Sequence, residues 1–154
     1  MRVLVLYESR RGFTLSVARA IRDELRSRGI DATASPLRGT DPGTLAAADA
    51  LVVGSWVQGM IVARVGPAEG ALAGIDALPP LAGRPTVVFC TCDVAPRRSL
   101  DVLSDRLSLR EANVVGRHAF KKRHLHPSRN LEAVPAFVEG TLAAFAGASA
   151  QTGV

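Results

Sequence analysis

The chain has 154 residues, 47% of them apolar and 21% charged, enough for one packed core and incompatible with a disordered polyelectrolyte. Its apolar runs, such as Val3 to Tyr7 and Ala50 to Val53, are far shorter than the roughly 20 residues a membrane span needs, so no membrane span is expected. The formal net charge of +5 sits in one segment: residues 117 to 129 carry five cations, all three histidines and no acid, leaving 14 basic against 14 acidic residues elsewhere.

Val3-Leu4-Val5-Leu6-Tyr7 reads as a strand buried on both faces. The next helix places Val17, Ala18, Ile21 and Leu25 on one side, with Thr14 as a candidate cap and Gly29 as a left-handed stop. Ile30 to Leu37 is a weaker strand and Asp41 to Ala48 a short helix. Ala50 to Val53 is another buried strand, closing at Gly54-Ser55. A helix is expected from Pro67 to Asp76, entered through Gly66-Pro67. Thr86 to Cys90 is a buried strand, and Leu100, Leu103 and Leu107 mark a helix face. Asn113-Val114-Val115 begins a fifth strand. Leu131, Val134, Val138, Leu142 and Phe145 line the last helix, with Pro135 tolerable in its first turn. The domain is expected to span residues 1 to 146, followed by a frayed tail from Gly147 to Val154.

Five strands alternating with helices predict an α/β domain with a parallel sheet and right-handed crossovers. The first, third and fourth strands look central and the second and fifth peripheral, which the order 2-1-3-4-5 satisfies. Ligands in such sheets lie beyond the carboxyl ends of the strands, at the switch point between strands one and three. Residues 8 to 14, 54 to 60, 90 to 98 and 116 to 129 are therefore the candidate ligand loops.

Ser9-Arg10-Arg11-Gly12-Phe13-Thr14 joins a strand to a helix start, where backbone amides and the Ser9 and Thr14 hydroxyls suit a phosphate. An ordinary capped turn is the alternative. No G-x-G-x-x-G is present, and Gly54 to Gly59 fails as a Walker loop because Met60-Ile61 stands where Lys and Ser or Thr are required. Ser55-Trp56-Val57-Gln58-Gly59 holds the single tryptophan, placed to stack on an aromatic ring or, alternatively, to pack over the sheet end. Thr91-Cys92-Asp93 offers polar partners for a ring edge. Cys90 and Cys92 are too close for an ordinary disulfide and lack the C-x-x-C spacing, so two inert thiols are expected. His118, His124 and His126 form either a metal cluster or, without a nearby carboxylate or thiol, part of a solvated basic loop. No catalytic acid or base stands out. A phospho-receiver domain is excluded: it needs two acids after strand one and an Asp after strand three, where this chain has Tyr7-Glu8 and Ser55-Trp56.

The loops S-R-R-G-F-T, G-S-W-V-Q-G and F-C-T-C-D together resemble those of the flavodoxin-like FMN-binding family over residues 2 to 146. The resemblance implies a three-layer sandwich with a five-stranded parallel sheet, and FMN as cofactor. It places Ser9, Arg10, Arg11, Gly12, Phe13 and Thr14 around the phosphate, and Ser55, Trp56, Val57, Gln58, Gly59, Thr91, Cys92 and Asp93 beside the ring. Glu8 to Thr14 is also similar to the phosphate loop of flavodoxin-type menaquinone-dependent protoporphyrinogen oxidases. The chain departs from flavodoxins in being basic, in having Arg10 and Arg11 in a phosphate loop that is usually uncharged, and in lacking a second aromatic between Thr91 and Arg98. A redox role follows, as electron carrier or FMN-dependent oxidoreductase, with an anionic redox partner protein or small-molecule donor or acceptor. The competing reading is a scaffold without FMN that binds an anionic partner through its basic loop. Nucleic acid is not expected, since a nucleic-acid-binding face spreads its basic bias more widely. The start, Met1-Arg2 running into a strand, lacks the pattern of a secretory leader, so a cytoplasmic location is expected.

Overall fold

The computed structural model describes residues 1–60 and 63–153. In chain order the elements are β1 (Arg2–Glu8), α1 (Phe13–Ser27), β2 (Asp31–Pro36), α2 (Pro42–Ala47), β3 (Ala50–Met60), β4 (Ala63–Pro67), α3 (Glu69–Asp76), β5 (Pro85–Cys92), α4 (Ser99–Leu109), β6 (Asn113–Lys121) and α5 (Val134–Thr152). The parallel sheet runs β2-β1-β3-β5-β6, with β4 antiparallel to β3 outside that path. Setting β4 aside, this is the expected 2-1-3-4-5 order.

Alternation along the central strands divides the core into two layers. Val3 and Val5 of β1, Val52 of β3 and Phe89 of β5 pack against Val17, Ile21 and Leu25 of α1 and Val138 and Phe145 of α5. Leu4, Leu6, Leu51, Val53 and Val88 turn the other way, against Leu45 of α2, Ile75 of α3, and Leu103 and Leu107 of α4. Full burial of each such side chain is worth about 1.5–3 kcal/mol, so both layers contribute heavily to folding. Phe89 packs edge-on against Phe120, with ring centroids 5.7 Å apart. Gly54 makes this possible, because a Cβ there would lie 1.9 Å from the Phe89 ring.

The segment expected as a loop, residues 54 to 60, is instead the second half of β3. Its parallel neighbours end beneath it: Ser55 pairs with Glu8, the last residue of β1, and Trp56 with Thr91 near the end of β5. Beyond that point the backbone of β3 has no parallel partner. β4 folds back to supply an antiparallel one, pairing Val57 with Pro67 and Gln58 with Gly66, so one edge of the overhang has a backbone partner. Pro67 consequently closes β4 and the helix starts at Glu69 rather than at Pro67. Ile61, part of the failed Walker comparison, lies outside the described residues.

Thr91 and Cys92 likewise belong to β5, not to a loop, and β6 absorbs residues 117 to 121 of the basic segment. Thr14 does not cap α1. The cap position is Gly12, in the left-handed region at φ 92°, which a residue with a Cβ adopts only with strain. Gly29 is left-handed as expected, at φ 78°. Pro135 falls in the first turn of α5, while Leu131 precedes that helix.

Helix α5 continues through Thr152 with Ala148 buried, where a frayed tail was expected; Val154 lies outside the described residues. Residues 127–152 reach a mean hydropathy of 1.3 over their most apolar window, which satisfies a membrane span by length and composition. Pro135, Gly140, Thr141 and Gly147 keep the segment's apolar runs short, while Glu139 is the single charge after Glu132. One face of this helix is nonetheless core, through Val134, Phe137, Val138, Thr141 and Phe145.

Candidate functional site

A cavity of about 410 Å³ opens at the carboxyl ends of β1, β3 and β5, the position the strand order predicts. Three walls enclose it.

The first wall is the turn from β1 into α1, contributing Arg10, Arg11, Phe13 and Thr14. The left-handed Gly12 bends the chain so that its own amide donates to Ser9 Oγ at 3.2 Å and its carbonyl accepts the Ser16 amide at 2.9 Å. Among the described residues, the amides of Arg10, Arg11, Phe13, Thr14 and Leu15 meet no protein acceptor. Unpaired amides at the amino end of a 15-residue helix, with the positive end of its dipole, favour an anion. Arg10 and Arg11 add two full charges. The Thr14 hydroxyl bonds to the Thr91 hydroxyl at 2.8 Å, with both side chains buried. In such a pair one hydroxyl donates to the other, which keeps its own hydrogen available to a ligand.

The second wall is the overhang of β3, presenting Trp56, Val57 and Gln58. The Arg10 guanidinium lies 5.6 Å from the centre of the Trp56 ring, a cation–π contact that joins the first wall to the second. Gln58 Oε1 accepts the Glu69 amide at 3.3 Å, fixing the ribbon to the start of α3. Ser55 does not reach the cavity. Fully buried, it accepts the Ala68 amide at 3.2 Å and donates to the Trp56 carbonyl at 2.9 Å, so it secures the ribbon from behind. Gly59 follows within β3; its surroundings are outside the described residues.

The third wall is the end of β5, with Thr91, Cys92 and Asp93, faced by Lys122 and His124. Lys122 and His124 lie in the candidate ligand loop 116 to 129, although the sequence singles out neither as a cofactor contact. The signal was the basic segment itself: pairing of Cys92 with Lys121 brings the next residues of that segment to the cavity. The Lys122 amide donates to the Cys92 carbonyl at 2.8 Å, and its ammonium lies 5.8 Å from the centre of the Phe13 ring. His124 Nε2 and Asp93 Oδ1 are 3.1 Å apart, bridging the two loops. Cys90 and Cys92 are reduced and buried. The neighbouring Cys92 thiol, together with burial, raises the Cys90 thiol above its usual range, while Cys90 and the nearby Lys121 charge hold Cys92 below it.

The three histidines go to different environments. His118 packs on Phe120 and Phe137, with ring centroids at 4.6 and 5.5 Å, and burial lowers its pKa. His124 bonds Asp93, and His126 precedes a short 3-10 turn at Pro127–Arg129. Among the described residues no group of three or more His, Cys, Asp or Glu is arranged to hold a metal.

No family model matches this chain, and no curated protein does. Solved structures do. Oxidised flavodoxin 2 from Bacillus cereus superimposes with a TM-score of 0.68 over 93% of this chain and 99% of its own, at 22% identity. Two-electron reduced flavodoxin from Megasphaera elsdenii gives 0.67 over 89% and 98%, at 18% identity. The flavodiiron protein from Giardia intestinalis gives 0.63 over 96% of this chain but 37% of its own, at 17% identity. At such identities the likeness is one of architecture: this chain has the flavodoxin fold.

Proposed function

We propose that the chain binds FMN in the cavity at the strand ends and passes electrons between redox partners. The observation that carries this reading is the pairing, within one cavity, of a helix start with unpaired amides and an aromatic wall formed by Trp56. The first suits a single phosphate and the second a flat ring system. The absence of a dinucleotide motif from the sequence favours FMN over FAD. The names of the structural neighbours, flavodoxins among them, support the same reading.

The residues present fit the cofactor. Arg10, Arg11, Thr14 and the amides of α1 would hold the phosphate; Trp56 would cover a face of the ring; Thr91, Cys92 and Asp93 would line its edge. When bound, FMN supplies one- and two-electron chemistry, and the protein sets orientation, solvent access and local charge. Arg10, Arg11 and Lys122 make that charge positive on balance, with Asp93 the single carboxylate among the lining residues.

The test is the absorption spectrum of the purified protein after incubation with FMN and removal of the excess. Flavin bands that bleach under anaerobic reduction and return with air are expected. Protein that emerges colourless and takes up no FMN would leave the cavity as the anion-binding pocket of a scaffold without flavin.

A further inference from the structure

Outside the cavity, the loops on either side of the bridge between Asp93 and His124 present a surface that the cavity's own ligand does not use. Next to the two bridged residues in sequence stand Val94 and Leu125, which are 60% and 90% exposed. The same two segments carry Arg97, Arg98 and Lys121, exposed and absent from the cavity lining. Among the described residues none of these three cations has a carboxylate within 4 Å, whereas Arg117, Arg123 and Arg129 of the same region are paired with Asp101 or Glu132. Two large exposed apolar side chains, on segments that also carry these three unpaired cations, supply the apolar contact and the charge of a surface that docks proteins.

We infer that this surface, built from residues 93–98 and 121–125, docks an acidic protein that brings an apolar contact and negative charge, placing that protein over the mouth of the cavity. A small anion does not account for it. An anion held in the cavity meets Arg10, Arg11 and Lys122, and gains nothing from Val94, Leu125 or charges set outside. A protein spans both the apolar side chains and the cations, and its acidic groups find Arg97, Arg98 and Lys121 already free of internal partners. Lys121 belongs to the segment 117 to 129 that carries the chain's net charge, and Arg97 and Arg98 add to it from the loop that follows β5. The inference gives the redox reading its partner class, but docking itself does not require a flavin to be bound.

The experiment measures binding of a dye-labelled acidic [2Fe–2S] ferredoxin by fluorescence anisotropy, with basic cytochrome c as the opposite-charge probe. The unmodified protein is expected to bind the ferredoxin and not the cytochrome, with affinity falling steeply as salt rises. The triple variant Arg97→Gln, Arg98→Gln, Lys121→Gln is expected to bind at least about tenfold more weakly at low salt. The double variant Val94→Ser, Leu125→Ser is expected to lose several-fold with its salt dependence unchanged. Equal ferredoxin binding by the triple variant, unchanged binding by the double variant, or preference for cytochrome c would overturn the proposal. So would an equal loss of affinity for a reduced nicotinamide nucleotide in the triple variant, since that assigns the cations to a small anion. Flavin titration of the same proteins is read separately: failure there removes the redox reading while the labelled ferredoxin still decides the docking surface.

Discussion

The first and second walls of the cavity are built on opposite principles. The wall at Arg10 to Thr14 consists of donors and charges fixed locally by one left-handed glycine and one hydroxyl pair. The wall at Trp56 to Gln58 is an apolar overhang held up from a distance, by β4 in front and by Ser55 behind. A ligand spanning both is bound by charge at one end and by surface area at the other. The two ends therefore respond to different perturbations.

The largest separation is expected from removing the phosphate. Riboflavin keeps the ring and loses every contact to the first wall. Hydrogen bonds to a charged group are worth roughly 1.5–3 kcal/mol each, so two of them make FMN bind tighter by about 3–6 kcal/mol. Calorimetric titration with each flavin measures this, and equal affinities would erase the distinction between the walls. Thr14→Val comes next. It is expected to weaken FMN binding by roughly 1.5–3 kcal/mol with riboflavin unaffected, and to destabilise the fold by about 1–3 kcal/mol because it strands the buried Thr91 hydroxyl. Denaturation of Thr14→Val, Thr91→Val and the double variant checks the second part: the double loss is expected to be smaller than the sum of the singles.

Trp56→Ala acts on the other wall. FMN and riboflavin are expected to weaken equally, by a stacking increment of about 0.5–1.5 kcal/mol beyond lost burial. A loss confined to FMN would assign Trp56, through Arg10, to the phosphate end. The smallest effect is expected from Lys122→Gln, which removes one cation facing the cavity. Two unit charges about 8 Å apart at an effective dielectric of about 40 interact by roughly 1 kcal/mol, before screening by salt. The potential for adding the second electron to bound flavin is then expected to fall by up to ~40 mV at low salt, and spectroelectrochemistry reads the shift.

The same contrast explains how much could be read from the sequence. The first wall is local: a buried strand, a glycine and a helix start within a few residues give both its geometry and its chemistry. Even so, Thr14 was read as a cap because its partner, Thr91, is distant in the chain and joined only by the fold. The second wall depends on pairing between segments. Gly54 and Gly59 look like loop residues, and nothing local reveals that Gly54 exists to admit the Phe89 ring or that the overhang will recruit β4 as a partner. Lys122 and His124 fall in the segment 116 to 129 expected on the ligand side of the sheet, but which of its residues meet the cavity depends on the register of β6 against β5. The strand order survived because it depends on which strands are apolar on both faces, and β1, β3 and β5 are so over most of their parallel length.

Trp56 is the one tryptophan in the chain, so its emission reports on the cavity alone. Titrating the apoprotein with FMN while following that emission tests the central claim most directly. The account predicts strong quenching that saturates at one FMN per chain, with riboflavin needing a far higher concentration to reach the same level. Emission unchanged at saturating FMN would place the ring away from Trp56 and contradict the account.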